Sequence, residues 1–214
     1  MDDRGVEAFC DNTAVLEAAD LECERGGRTL FRALSVALEP GEALRVVGEN
    51  GSGKTSLLRI LCGLLAPSRG EVRWKGGAIR ALREEYHREL LYLGHAPAVK
   101  AELSPAENLS IACTLAGVPA QSARVHAALA RFGIPASVPV RTLSQGQRRR
   151  AALARLALSE VPLWLLDEPF SSLDAHGIGL LNDCFREQLG RGGALVFTTH
   201  QDPGFSATRV VELG

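Results

Sequence analysis

Two stretches of this chain hold residues whose types and order suit chemistry on a phosphate. Gly48-Glu49-Asn50-Gly51-Ser52-Gly53-Lys54-Thr55 fits the pattern G-x-x-x-x-G-K-[ST]. Its glycines let successive backbone N–H groups curl around an anion with no Cβ in the way. Lys54 brings a full positive charge to β- and γ-phosphates, and the Thr55 hydroxyl is a natural Mg²⁺ ligand. Gly48, Asn50, Gly51, Ser52, Gly53, Lys54, Thr55 and the helix-opening Ser56 are therefore candidate contacts to a nucleoside triphosphate. Further on, Leu163-Trp164-Leu165-Leu166-Asp167-Glu168 is an apolar run ending in two carboxylates. Asp167 suits Mg²⁺, directly or through water, and Glu168 suits a base that orients and deprotonates an attacking water. A chance glycine-rich turn and an acidic helix cap are the plainer alternatives. They lose ground because the two stretches occur together.

Both stretches need strands to deliver them. Ala43 to Val47 is a nearly continuous apolar strand running straight into the glycines, and Ser56 to Leu65 has helical spacing. The run ending at Asp167 reads as a strand buried on both faces, and ligands of open α/β sheets sit at the carboxyl ends of strands. Val15 to Leu38 reads as two strands about a Gly26-Gly27 turn, and Pro67 to Gly77 as turn-rich. Short strands are expected at Leu90–Leu93, Ala194–Thr199 and Arg209–Leu213, with helices at Ser144–Ser159 and Gly177–Leu189. Pro105 to Phe132 is helical, with Ser104 as N-cap and Pro105 at the first position. Alternating strands and helices imply an α/β fold with a mostly parallel core sheet. An antiparallel β subdomain comes first, and a helical subdomain of about 98–158 is inserted. Residues 1–14 are expected to be flexible and 15–214 to form one domain.

The chain has 214 residues and 46% hydrophobic content, enough for one large core. Its 24 basic and 25 acidic residues nearly cancel. No field draws it to nucleic acid or anionic lipid, and no nucleic-acid partner is expected. Cysteines 10, 23, 62, 113 and 184 form no C-x-x-C pair and no zinc-ligand spacing, which suggests reduced thiols, with Cys62 and Cys113 in the core. No C-x-x-C-H haem attachment site occurs, so no direct haem binding is expected. No stretch is apolar for the length of a membrane span, and the acidic N-terminus has no signal-peptide core.

What separates this chain from other nucleotide hydrolases is Leu143-Ser144-Gln145-Gly146-Gln147. Ser144 is an N-cap-like hydroxyl, and Gly146 permits close backbone approach at a helix start, giving a second anion nest. Alone it is an ordinary helix N-terminus. Lying between the phosphate loop and the acidic strand, it resembles the LSGGQ signature of ABC ATPases, with Gln145 replacing the first glycine. The resemblance extends from about residue 15 to the end and implies a P-loop NTPase fold of ABC type hydrolysing ATP with Mg²⁺. It further implies a homodimer sandwiching two nucleotides, with Lys54 of one chain opposite Ser144, Gly146 and Gln147 of the other. Ser171-Ser172-Leu173-Asp174 resembles the D-loop that crosses that interface, and His200 after Thr198-Thr199 resembles the switch histidine that senses the γ-phosphate.

Two departures from the family pattern carry information. His95, in Leu93-Gly94-His95-Ala96-Pro97, stands where most ABC ATPases have a glutamine. Neutral imidazole accepts from water or ligates a metal, so His95 either acts at the nucleotide or is a surface or interface residue. The adenine-stacking aromatic is missing from Glu22-Cys23-Glu24-Arg25-Gly26, and Arg25 is the candidate to stack a guanidinium plane on the base. The run Arg148-Arg149-Arg150 reads more readily as a solvated helix face than as a partner contact. YLGHAPAVKAELSPAENL, LSQGQRRRAALARLAL and the late TTHQ make the chain similar to the ATP-binding subunits of cytochrome c maturation systems, the haem-exporter ATPases. That similarity implies a peripheral protein on the cytoplasmic side of a bacterial inner membrane. Its membrane subunits would be of the CcmB and CcmC kind, with hydrolysis driving release of a haem-loaded chaperone. An ATPase of another small-molecule exporter and a soluble ABC ATPase acting on DNA or ribosomes are the rival readings. A small-molecule kinase would leave the LSQGQ stretch without a task.

Overall fold

A computed structural model describes residues 14–200 and 203–214. The expected flexible N-terminus lies outside the described residues apart from Ala14. The described residues build nine strands and seven α-helices. They are β1 (Leu16–Arg25), β2 (Arg28–Leu38), β3 (Ala43–Gly48), α1 (Lys54–Leu61), β4 (Arg69–Trp74), β5 (Gly77–Ala78), α2 (Ile79–Leu82), α3 (Glu84–Arg88), β6 (Leu90–Leu93), α4 (Pro105–Leu115), α5 (Ser122–Arg131), α6 (Gln145–Leu153), β7 (Leu163–Leu166), α7 (Ala175–Gly190), β8 (Ala194–Thr198) and β9 (Arg209–Leu213). A 3-10 segment, Ala154–Leu158, continues from α6.

Two sheets result. β3 and β6 to β9 form a parallel sheet in the order β6-β7-β8-β3-β9. The other sheet, β2-β1-β4-β5, is antiparallel. Strand periodicity assigns the two faces of the parallel sheet. Leu163, Leu165, Ala194 and Val196 join the core shared with α1 and the antiparallel sheet. Trp164, Leu166, Leu195 and Phe197 turn the opposite way, onto α7 and the helical subdomain. There Phe170, Phe185, Phe197 and Phe205 form an edge-to-face cluster with centroids 5.3–6.1 Å apart. With both faces covered, β7 and β8 read as unbroken apolar runs. Cys23, Cys62, Cys113 and Cys184 are unpaired and buried, the core role expected of Cys62 and Cys113.

One expectation fails at Pro67–Gly77. This stretch supplies β4 and β5, so the antiparallel sheet is completed by residues that follow the phosphate loop. Val72 and Trp74 are buried while Arg73 is exposed, a period-two pattern that flanking Pro67, Gly70 and Gly76 disguise. The short helices α2 and α3 were likewise not expected. Their first buried residues, Ile79 and Tyr86, close the base of α1, and the Tyr86 hydroxyl donates to Leu61 O at 2.5 Å. The helix expected over Ser144–Ser159 changes to 3-10 geometry after Leu153.

Candidate active site

The loop between β3 and α1 wraps a cavity of about 450 Å³ lined by Leu30, Asn50, Gly51, Gly53, Lys54, Thr55, Ser56, His95, Asp167, Glu168 and His200. Six of the expected nucleotide contacts and all four expected catalytic or metal residues other than Thr55 thus meet in one place, although they come from four separate segments. Gly48 and Ser52 lie beneath the lining. A Cβ at Gly48 would come within 2.3 Å of Leu213 O and 2.6 Å of Ser52 Oγ, so only glycine fits there. Ser52 Oγ is buried and has no hydrogen-bond partner among the described residues. Lys54 is only 7% exposed, and its ammonium donates to Gly48 O at 2.7 Å and Glu49 O at 3.0 Å. A buried cation held, among the described residues, by its own loop's carbonyls, beside an orphaned hydroxyl, is a site that an anion completes.

Facing the loop, the acids at the end of β7 are fixed by threonines. The Thr55 hydroxyl donates to Asp167 Oδ2 and the Thr198 hydroxyl to Asp167 Oδ1, both at 2.8 Å. Thr198 Oγ1 also accepts from the Glu168 N–H at 2.8 Å. Glu168 has φ of 48°, a left-handed conformation costing a non-glycine residue roughly 1 kcal/mol or more. Three side-chain contacts hold it there. Its N–H is bound to Thr198, its carbonyl accepts from Arg149 Nη2 at 2.7 Å, and its Oε2 lies 2.9 Å from His200 Nδ1. The strain aims a carboxylate only 11% exposed toward the loop.

His95 lines the cavity on an exposed segment. Arg25 does not line it. It stands at the β1–β2 turn, paired with Arg28 in the strand ladder, and Leu30 is the residue of that hairpin in the wall. Ser144, Gly146 and Gln147 also lie outside the lining, at the start of α6. There Ser144 Oγ accepts from Gln147 N–H at 3.2 Å, and the Gln147 side chain accepts from Ser144 N–H at 2.9 Å, closing a capping box. Gly146 packs on the Ser171–Asp174 turn, where a Cβ would sit 2.9 Å from Ser172 O. Asp174 caps α7, accepting from Gly177 N–H at 2.8 Å.

The run Arg148–Arg150 is not a solvated face. Arg148 donates to the carbonyls of Val140, Arg141 and Leu143, and Arg150 to that of Phe132. Arg149, 4% exposed, donates to the carbonyls of Gly94, His95, Asp167, Glu168 and Pro169. A charge count treats arginines as surface groups and misses this. The available signal is positional, since in the sequence Arg149 stands at i, i+4, i+7 spacing with Leu153 and Leu156, both of which are buried. Thr198 was missed for a similar reason, because a hydroxyl inside an apolar strand reads as packing.

Among the described residues no helix is long and apolar enough to cross a membrane, and no group of three His, Cys, Asp or Glu side chains is placed to hold a metal ion by itself. The profile of the ABC transporter family matches residues 31–171, which span the phosphate loop, the signature stretch and the acidic pair. A cytochrome c biogenesis ATP-binding export protein, CcmA, from Methylococcus capsulatus is 51% identical over 189 residues, 87% of this chain and 91% of that relative. The protein of the same name from Aromatoleum aromaticum is 50% identical over 203 residues, 94% of this chain and 95% of the relative. A dimeric ATP-binding cassette solved in a post-hydrolysis state with ADP and Pi shares the fold, with a TM-score of 0.77 at 22% identity over 92% of this chain and 94% of that one. With the phosphate loop, the acidic strand end and the signature helix disposed around one sheet, the chain belongs to the ABC transporter family, among the CcmA-type cytochrome c biogenesis ATP-binding proteins.

Proposed function

We propose that this chain is the ATP-hydrolysing subunit of an ABC complex for cytochrome c maturation. The observation that carries the hydrolytic part is the convergence of Lys54, Thr55, Asp167, Glu168, His95 and His200 on one cavity. The biological role rests on CcmA relatives near 50% identity over most of both chains.

Lys54 and the loop amides bind the β- and γ-phosphates, with the Ser52 hydroxyl facing the same anion. Thr55 Oγ1 and Asp167 Oδ2 form the hard-oxygen pair that would hold Mg²⁺. Two protein oxygens suit an ion that takes its remaining ligands from phosphates and waters. When bound, Mg²⁺ supplies neutralisation of the phosphate oxygens. Glu168 orients the attacking water and accepts its proton. His200 holds the Glu168 carboxylate in place and is the candidate to sense the γ-phosphate, and His95, which lines the same cavity, is the candidate to contact the attacking water. Gly48, Asn50, Gly51, Gly53 and Ser56 complete the cradle, and Arg25 is the candidate for the base.

The α6 N-terminus, with Ser144, Gly146 and Gln147, lies away from this chain's own cavity and so is free to meet nucleotide held by a second copy, which is the homodimer we propose. The membrane partners are subunits of the CcmB and CcmC kind, at the cytoplasmic side of the inner membrane. Ile111 and Leu115 of α4 are exposed large apolar side chains one turn apart, a small apolar surface that such a partner could cover. Co-purification of the tagged chain from detergent-solubilised membranes tests the role. Recovery of cytochrome c maturation membrane subunits is expected. Recovery of an unrelated permease in their place would keep the motor and discard the maturation role.

A further inference from the structure

Arg149 spends a whole guanidinium on main-chain oxygens from two segments. Nη1 donates to Gly94 O at 3.4 Å and His95 O at 3.1 Å, Nη2 to Asp167 O at 3.1 Å and Glu168 O at 2.7 Å, and Nε to Pro169 O at 3.3 Å. Five donors meet five acceptors, and none of the acceptors is a carboxylate. Burying a cation this way is costly compared with packing an apolar side chain of the same size. Desolvation pushes the Arg149 guanidinium below its ordinary pKa, and only the neighbouring charges of Asp167 and Glu168 oppose that. Fold stability alone gives weak reason for such a residue.

Its acceptors share one property. The Gly94–His95 segment and the Asp167–Pro169 segment both carry side chains that line the cavity, and among the described residues Arg149 is the side chain bonded to both main chains. Glu168 is also in a left-handed conformation, which needs such anchoring. We infer that Arg149 is a positioning residue that locks the His95 segment to the Asp167–Glu168 strand end, fixing both relative to the phosphate loop from the helix that begins at Ser144. This deepens the hydrolytic reading above and rests on it. Arg149 touches no reacting atom. It acts on turnover by setting where His95 and Glu168 stand.

The test is steady-state ATP hydrolysis and equilibrium ATP binding by the purified full chain as wild type, Arg149→Met, Arg149→Lys and Lys54→Ala. A misplacement of the order of 1 Å at a catalytic group is enough for a large rate loss, so Arg149→Met is expected to lower kcat by more than about tenfold with KM and ATP affinity within about threefold. Arg149→Lys, keeping the charge but offering three donors from one nitrogen, is expected to recover part of that loss. A purely structural role would lower kcat per chain and the number of ATP molecules bound per chain by the same factor, leaving turnover per ATP-binding site at the wild-type value, and that result overturns the inference. So does kcat within about twofold of wild type in both variants. Should Arg149→Met not fold, Arg149→Lys is judged by the same split between kcat and affinity. The underlying reading fails separately. Hydrolysis that survives Lys54→Ala sinks the nucleotide site itself, whereas hydrolysis lost in Lys54→Ala and untouched at Arg149 sinks only the positioning role.

Discussion

His200 Nδ1 lies 2.9 Å from Glu168 Oε2, joining the second residue after β8 to the second residue after β7, its parallel neighbour in the sheet. The contact turns the carboxylate into a held group with its other oxygen left for water. Glu168→Gln keeps the size and the His200 contact but removes the basicity. ATP binding is expected to persist while turnover falls by at least ~100-fold, the usual scale for losing a general base. The ATP-bound protein should accumulate as a dimer on size exclusion. Turnover at the wild-type rate would remove Glu168 from the mechanism.

His95 offers a second kinetic test. Its carbonyl is anchored by Arg149 and its side chain lines the cavity on an exposed segment, so truncation leaves the segment in place. His95→Ala is expected to slow hydrolysis by roughly tenfold or more while ATP affinity changes little. An unchanged rate in a single-turnover assay returns His95 to the surface reading.

Gly146→Ala sets two effects against each other. Within the first turn of α6, alanine favours the helix over glycine by about 1 kcal/mol. The new Cβ, however, would meet Ser172 O at 2.9 Å, and Ser172 is itself at φ of 62°. A backbone oxygen in a left-handed turn yields less readily than a side-chain tip, so the turn is expected to be displaced. Melting temperature should move by only a few degrees in either direction, whereas ATP-dependent dimerisation, read by light scattering, should weaken at least severalfold. Dimerisation equal to wild type would show that the contact between Gly146 and the Ser172 turn is not part of the interface.

Acid should find a weak point on the antiparallel sheet. Burial works to raise the pKa of Glu89. Hydrogen bonds from Lys75 and from Trp74 Nε1, together with the Lys75 charge, outweigh that and hold it below its ordinary 4.5. A depressed carboxylate stabilises the fold above its unfolded value, and the contribution disappears as pH falls through the folded one. Glu89→Gln is therefore expected to lower the urea midpoint at pH 7 and to converge with wild type at about pH 3, with Trp74 fluorescence as reporter. An equal gap at both pH values would show that the carboxylate's charge plays no part.

The parts of this molecule that could be read in advance share a local cause. The phosphate loop needs its glycines and Lys54 consecutively, and the buried strand ending at Asp167 declares itself by an unbroken apolar run, so both stood out in one dimension. Capping at Ser104 and Ser144 was legible for the same reason, since a cap is a matter of three residues. β4 was not legible, because its two buried side chains, Val72 and Trp74, sit among turn residues and acquire their strand by pairing with β1 and β5. Arg149 and Thr198 were not legible because their partners are main-chain atoms and a strand 31 residues away. No composition or spacing rule sees a carbonyl.

The position of β8 in the sheet has a wider consequence. It separates β3 from β7, so the phosphate loop and the acidic pair stand two strand spacings apart, about 9.5 Å. That gauge is written in main-chain hydrogen bonds and cannot be altered by exchanging side chains. Residues around the slot are thereby free to drift without closing or widening it. A histidine can occupy position 95, and an aliphatic Leu30 can stand in the wall, while the gap that admits the phosphate stays the same. The sheet order keeps the machine's tolerance in its backbone and leaves its tuning open to mutation.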